Sequence, residues 1–385
     1  MFTNNINNKS YIVLIVLTLT VFFKNFYNEI LQNYLNNPNF FQTFFSDFYL
    51  IYAGAEILSK NLNPYEEWIK LHNSPFFNPP LVFNFFKFLA NYNYLIVAKY
   101  WLIILILTFF LIPIIIFKIF KIHPKYCYIF LLSFGGISLN VFFTGNLSIV
   151  LNLLFALSIF FLSRKEYHYF YLILSALCLI KFPYLIFFGI PFLIKNLEKK
   201  LFINTFFYLL LITLIYLLSF YSNPEIFNSW INSLKFSENI GDSGDFGRGL
   251  FRIIDNNFFS EIYLNNFIYI IISGFLFLFL IFLFKNSKIL NNEKNKNLAI
   301  AFSIIFLTML LPRLKSYDVL ITIPCLFFII ENLEFKISQS LNLIFKFILF
   351  LALFCWTSPY APICLYLILF FILSSDLKYN FIEKK

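Results

Sequence analysis

Apolar and polar stretches alternate along the whole chain, and the apolar runs are too long and too uniform to be one face of soluble helices. They predict about ten to twelve membrane spans. The spans fall near 10–28, 99–119, 126–143, 147–163, 168–181, 183–195, 201–220, 264–285, 298–312, 317–332, 341–355 and 359–375. Several are shorter than the ~20 residues of a straight crossing. The stretch around Lys181 and Pro183 also reads as re-entrant or broken. The fold class is thus an all-α integral membrane protein, one polytopic domain over residues 1–385 with loops at 29–98 and 221–264. Lys9 precedes the apolar stretch from Tyr11 to Phe23, and Lys24-Asn25-Phe26-Tyr27 follows with no small-x-small cleavage site, which predicts an uncleaved first span.

Composition agrees. The chain is 60% hydrophobic and 12% charged, where soluble domains carry about 25% charged residues. Lipid removes the problem of hiding so much apolar surface from water. The net charge of +10 is explained by its distribution, not by a nucleic-acid partner. With a cytoplasmic N-terminus, 18 of the 29 cations and 7 of the 19 acids fall on the cytoplasmic side. This asymmetry sets the orientation, with both termini cytoplasmic and the two long loops outside. Cys127, Cys178, Cys325, Cys355 and Cys364 sit in or beside apolar runs without a close CxxC pair, and read as small packing residues. His72, His123 and His168 lack metal-ligand spacing, so no metal site is expected.

The first long loop carries the candidate chemistry. Residues 46–58 read as an amphipathic helix with Ile51, Ala55 and Leu58 on one face and Asp47 one turn earlier. Such a helix is expected along the membrane surface with its apolar face in the lipid boundary. Ser46 or Asp47 is placed to cap its start, and Asn61-Leu62-Asn63-Pro64 to end it. Asp47 has two readings, a helix cap or a general base at the membrane interface. Pro75, Pro79 and Pro80 forbid a continuous helix. Residues 81–98 read as a second surface helix or a partial re-entry.

Several elements recur in an order that points to a family. They are Asp47-Phe48-Tyr49 with Tyr52-Ala53-Gly54-Ala55, Asn63-Pro64-Tyr65, Asn78-Pro79-Pro80-Leu81, Gly145-Asn146-Leu147-Ser148, Lys181-Phe182-Pro183, and Leu311-Pro312-Arg313 with Tyr317-Asp318. Over roughly residues 10–330 the chain resembles the polyprenol-phosphate-mannose-dependent mannosyltransferases of glycosyltransferase family 87, in the GT-C superfamily. It departs from their pattern at Asn146, where Gln is usual, at Phe246-Gly247-Arg248, in place of Asn-x-Ser, and in 312–318, which lacks a His.

The resemblance implies a GT-C helical bundle with an extracytoplasmic active site. It also implies a polyprenyl-phosphate sugar donor, a glycolipid or glycan acceptor, and inversion at the anomeric carbon. Asp47 matches the catalytic aspartate. A phosphate leaving group needs no general acid, so one base suffices, unlike glycoside hydrolysis with its two carboxylates. Glu56, Glu66 and Glu67 are nearby candidates for the base that read more simply as solvated loop acids. Lys181, Arg248, Arg252, Arg313 and Lys315 fall on the external side and are the candidates for the donor phosphate. Lys181 reads equally as a lysine snorkelling to headgroups, and Asp318 as a partner for Arg313 or Lys315. Tyr49, Tyr52, Asn63, Tyr65 and Asn78 are candidate sugar contacts. The Gly-rich segment 241–249 suits a lid or a merely flexible loop, and Asp242 and Asp245 are a weak metal signal. No cofactor is expected. Three readings stand beside the mannosyltransferase: another GT-C enzyme with a different sugar or acceptor, a transporter or flippase of lipid-linked sugars, and a non-catalytic membrane subunit.

Overall fold

The computed structural model describes residues 8–36, 45–121, 126–194, 199–239, 262–287, 296–311 and 316–332, with 250, 254, 290, 367, 370 and 373 singly. Every regular element among them is helical. Among the described residues, three helices are long and apolar enough to cross a membrane: Tyr94–Phe120, Lys200–Ser222 and Leu264–Asn286. Each turns large apolar side chains to its surroundings, with Phe110, Phe206 and Phe275 about 70% exposed. Helix Tyr94–Phe120 begins at Asn93, whose side chain accepts from the Leu95 N–H, satisfying one of the orphan donors of a helix start.

Helices Asn8–Phe26, Tyr126–Phe143, Ser148–Ser163, Tyr167–Ile180, Lys199–Ser222, Ile262–Asn286 and Lys296–Met309 occupy the apolar runs that the hydropathy pattern marks. The run over 183–195 is not one α-helix. Pro183 opens 3-10 turns over Phe182–Gly189, and a short α-helical piece, Ile190–Leu193, follows. The run over 317–332 divides likewise, into 3-10 turns Ser316–Thr322 and helix Ile323–Asn332. The runs over 341–355 and 359–375 lie outside the described residues, apart from Leu367, Phe370 and Leu373.

Helix Lys296–Met309 forms the centre, with every residue from Leu298 to Met309 buried. A helix apolar on all sides must be surrounded. Its Ser303 and Thr308 hydroxyls donate to the Ala299 and Ile304 carbonyls, so neither is an unsatisfied polar group. At its N-terminal end, Lys296 Nζ donates to the carbonyls of Leu162 and Ser163, and Asn297 Nδ2 to that of Ile119. These bonds satisfy the orphan carbonyls where helices Tyr94–Phe120 and Ser148–Ser163 end. Cys178 and Cys325 are buried free thiols.

The N-terminal end of Tyr94–Phe120, the other pole, receives the first loop. Helices Ser46–Ser59, Pro64–His72 and Pro80–Phe86 pack there with Pro224–Asn239 of the second loop. Their shared core includes Ala53, Leu58, Tyr65, Trp68, Phe76, Phe83 and Trp230. Trp230 Nε1 donates to the Phe77 carbonyl at 3.2 Å and the Ser233 hydroxyl to that of Phe76 at 2.7 Å. This corrects the surface-helix expectation for 46–58. Phe48, Ile51, Tyr52, Ala53, Gly54, Ala55 and Leu58 are all buried, which is more than one face. The face carrying Ile51, Ala55 and Leu58 packs into protein, while Leu50 and Ile57 are half-buried. Gly54 lets it approach closely, because a Cβ there would stand 2.3 Å from the Phe83 ring. Residues 80–91 form helix Pro80–Phe86 and 3-10 turns Lys87–Asn91.

Candidate active site

Asp47 lies in the first turn of helix Ser46–Ser59, and neither it nor Ser46 is the cap. That position belongs to Phe45, in the left-handed region at φ 62°, with no side-chain cap bond. A bulky residue there is strained, and its surroundings hold it. The Phe45 carbonyl accepts from the Tyr49 N–H and the Tyr94 hydroxyl, and its ring is buried against Gly145. The loop 144–147 then fastens Asp47 twice. The Asp47 N–H donates to the Thr144 carbonyl at 3.0 Å, and Asn146 Nδ2 donates to Asp47 Oδ2 at 2.8 Å. Asp47 Oδ1 has no hydrogen bond among the described residues, and the side chain is half-buried.

Trp101 braces this corner from helix Tyr94–Phe120. Its indole N–H donates to the Gly145 carbonyl at 2.9 Å, and its ring stacks on Phe48 with centroids 4.2 Å apart. Trp101 stands two turns into its helix, about 10 Å from the helix start, and holds the residues next to Asp47 and Asn146 there. The result is a carboxylate with one oxygen held and the other open, fixed to the helical bundle. Such a group can accept a proton from a hydroxyl brought to Oδ1.

The five candidate sugar contacts divide. Tyr65 is fully buried, its hydroxyl donates to the Asn78 carbonyl at 2.6 Å, and burial pushes the phenol far above its usual range. Tyr65 is therefore a core residue, which corrects its assignment to sugar. Tyr52 is corrected likewise. It is buried and donates to the Tyr92 carbonyl at 2.8 Å, and burial, then the Glu56 carboxylate, raises its phenol. Asn63 caps helix Pro64–His72 through the Tyr65 N–H, and its Nδ2 donates to Glu66 Oε1 and Ser229 Oγ. Its amide thus joins the two loops. Tyr49 and Asn78 are half-buried, with no side-chain hydrogen bond among the described residues. The other loop acids have local partners: Glu56 pairs with Lys60, Glu67 with Lys70, and Glu66 also accepts from Ser229.

Of the candidate phosphate ligands, only Lys181 is described; Arg248, Arg252, Arg313 and Lys315 lie outside the described residues, as do Asp242 and Asp245. Lys181 follows helix Tyr167–Ile180, and its ammonium pairs with the carboxylate of Asp318 and lies 4.6 Å from the centroid of the Tyr317 ring. The Asp318 side chain is 4% exposed and that of Lys181 24%. Among the described residues, Asp318 pairs with Lys181; Arg313 and Lys315, the partners the sequence offered for it, lie outside the described residues. Asn146 entered the sequence reading only as part of a motif, and its contact with Asp47 spans 99 residues. The capping role of Asn63 was within reach, because Asn-Pro followed by Glu66 and Glu67 is a helix-start pattern. The chain matches no protein-family model, and no curated protein matches it in sequence.

Proposed function

We propose that the chain is a polytopic membrane glycosyltransferase of GT-C type, with Asp47 as general base. It moves a hexose, mannose by the resemblance, from a polyprenyl phosphate to a glycolipid or glycan acceptor at the extracytoplasmic face. The three long apolar helices support the membrane reading, since their large exposed side chains need an apolar solvent. The cation asymmetry supports the orientation. One observation carries the enzymatic reading: Asp47 is braced at the loop end of the bundle with one oxygen bonded by Asn146 and the other open.

The chemistry follows from that placement. The acceptor oxygen attacks the anomeric carbon, and its proton passes to Asp47 Oδ1. The bond from that carbon to the phosphate oxygen breaks, and the electron pair leaves on polyprenyl phosphate. Attack opposite the leaving group inverts the anomeric centre. The phosphate leaves without added protonation, so positive charge nearby, not a general acid, is what the step requires. Tyr49 and Asn78 have free side-chain groups and are the remaining candidates for contacts with the sugar or acceptor. Lys181 is the described candidate for the phosphate, where Asp318 would have to share it.

Purified protein in lipid, given radiolabelled polyprenyl-phosphate-mannose and a membrane glycolipid extract, tests the reading against Asp47→Asn. The variant keeps the shape and an oxygen for Asn146 but cannot take the proton. Transfer is expected to fall ~10²–10⁴-fold with folding and donor binding intact. Equal transfer by both proteins removes Asp47 as the base. Absence of transfer by wild type across donors removes the enzyme reading and favours transport of lipid-linked sugars.

A further inference from the structure

We infer that Asn146 is a positioning residue that fixes the rotation of the Asp47 carboxylate, so that Oδ1 is the oxygen presented to the acceptor hydroxyl. The inference rests on the reading of Asp47 as the base. Asn146 uses both ends of its amide. Its Oδ1 accepts from the Ser148 N–H at 2.8 Å, and its Nδ2 donates to Asp47 Oδ2 at 2.8 Å. The Ser148 N–H is a donor at the start of helix Ser148–Ser163, where no carbonyl of the helix reaches it. A carboxylate can only accept, and a backbone N–H can only donate. Each partner alone therefore dictates the same amide orientation, with oxygen on Ser148 and nitrogen on Asp47.

The support behind Asn146 is rigid on both sides. The Asp47 N–H donates to the Thr144 carbonyl, and Trp101 holds the Gly145 carbonyl. With Nδ2 in place, turning the carboxylate about its Cβ–Cγ bond breaks a hydrogen bond; without it, the carboxylate turns freely. A misplacement of about 1 Å in a reacting group can cost ~10²-fold in rate, so the loss expected on removing Nδ2 is ~10–100-fold in kcat. Asn146 touches no reacting atom. Its effect must run through Asp47, which separates it from a residue that merely stabilises the fold.

The test measures kcat and donor KM for full-length protein in lipid, with labelled polyprenyl-phosphate-mannose as the probe. It compares wild type, Asp47→Asn, Asn146→Ala, Asn146→Asp and the double variant Asp47→Asn/Asn146→Ala. Asn146→Asp keeps an acceptor for the Ser148 N–H but loses the donor to Asp47. It separates the lost positioning bond from the lost helix cap, and the neutral Asn146→Ala variant carries the test if charge repulsion unfolds the Asp variant. The expected result is a kcat ~10–100-fold lower in the single Asn146 variants that fold, with donor KM near wild type. In the Asp47→Asn background, Asn146→Ala should change the residual rate less than about twofold, because effects that share one group do not add. Wild-type kcat in Asn146→Ala overturns the inference while leaving Asp47 as the base. So does a full-sized loss from Asn146→Ala on top of Asp47→Asn. If Asp47→Asn transfers like wild type, or wild type moves no label from any polyprenyl-phosphate sugar offered, the base reading falls and takes the positioning role with it.

Discussion

Asp47 is half-buried and Asp318 buried, and their neighbours treat the two carboxylates in opposite ways. Asp318 is 4% exposed and bonded to the ammonium of Lys181, which also lies over the Tyr317 ring. Asp47 is half-buried and bonded to the neutral amide of Asn146. A cation compensates charge, and its pair joins two segments 137 residues apart. An amide orients a carboxylate without cancelling its charge. The first arrangement suits a structural link and the second a group that must still take up a proton. The difference between the two sites lies in the partner, since the residue type is the same.

The comparison can be broken at either site. The largest effect on stability is expected at the ion pair. Lys181→Met removes the ammonium from a buried carboxylate and should destabilise the protein by ~3–5 kcal/mol, read as thermal unfolding in detergent. Asp318→Asn should cost less, because Lys181 is a quarter exposed and its long stem can carry the charge to water. The double variant Lys181→Met/Asp318→Leu should recover most of the loss. If the two single variants are harmless, the pair is not a structural link and Lys181 is free to serve the donor phosphate.

A smaller effect is expected from Gly145→Ala at the Asp47 corner. Gly145 has φ +69°, and an added Cβ would stand 2.4 Å from the Phe45 Cβ. The left-handed backbone and the crowding together should cost about 2–4 kcal/mol. Transfer should fall as well, since Phe45 and Asn146 position Asp47 from either side. Unchanged stability and transfer would mean that the corner yields, and that Asp47 is less firmly held than Asp318. The smallest effect is expected from Trp101→Phe, which removes the indole N–H from the Gly145 carbonyl but keeps an aromatic ring against Phe48. Its loss should be about 1 kcal/mol by thermal unfolding. A much larger one would place the anchor of the corner in Trp101 rather than in the backbone of 144–147.

Much of the helical layout was legible because hydropathy acts locally. The run at 126–143 and helix Tyr126–Phe143 have the same bounds, and helix Tyr167–Ile180 stops next to Lys181 and Pro183. The first loop helix ends before Pro64 and no helix runs through Pro75 and Pro79, as expected; Pro64 and Pro80 also open the helices that follow, a position where a missing N–H costs nothing. The loop helix 46–59 was legible as a helix but not as an enclosed one. Its mixed pattern fits a lipid surface as well as a protein pocket, and tertiary contacts such as Phe83 at Gly54 and Trp101 on Phe48 distinguish them. The helix Pro224–Asn239 was read as part of a loop, since its apolar residues serve a core supplied by another segment.

By itself the sequence determined which stretches are apolar, where glycine and proline interrupt them, and that an acid opens the first loop helix. Those properties depend on neighbours within a few residues of one another. The tertiary structure decided that Asn146 holds Asp47, that Lys181 belongs with Asp318, and that Tyr52 and Tyr65 point their hydroxyls at backbone carbonyls. Each of these is a meeting of side chains or carbonyls brought together by helix packing. A hydrogen bond is selected by distances of a few ångströms, and a linear pattern of residue types does not contain those distances.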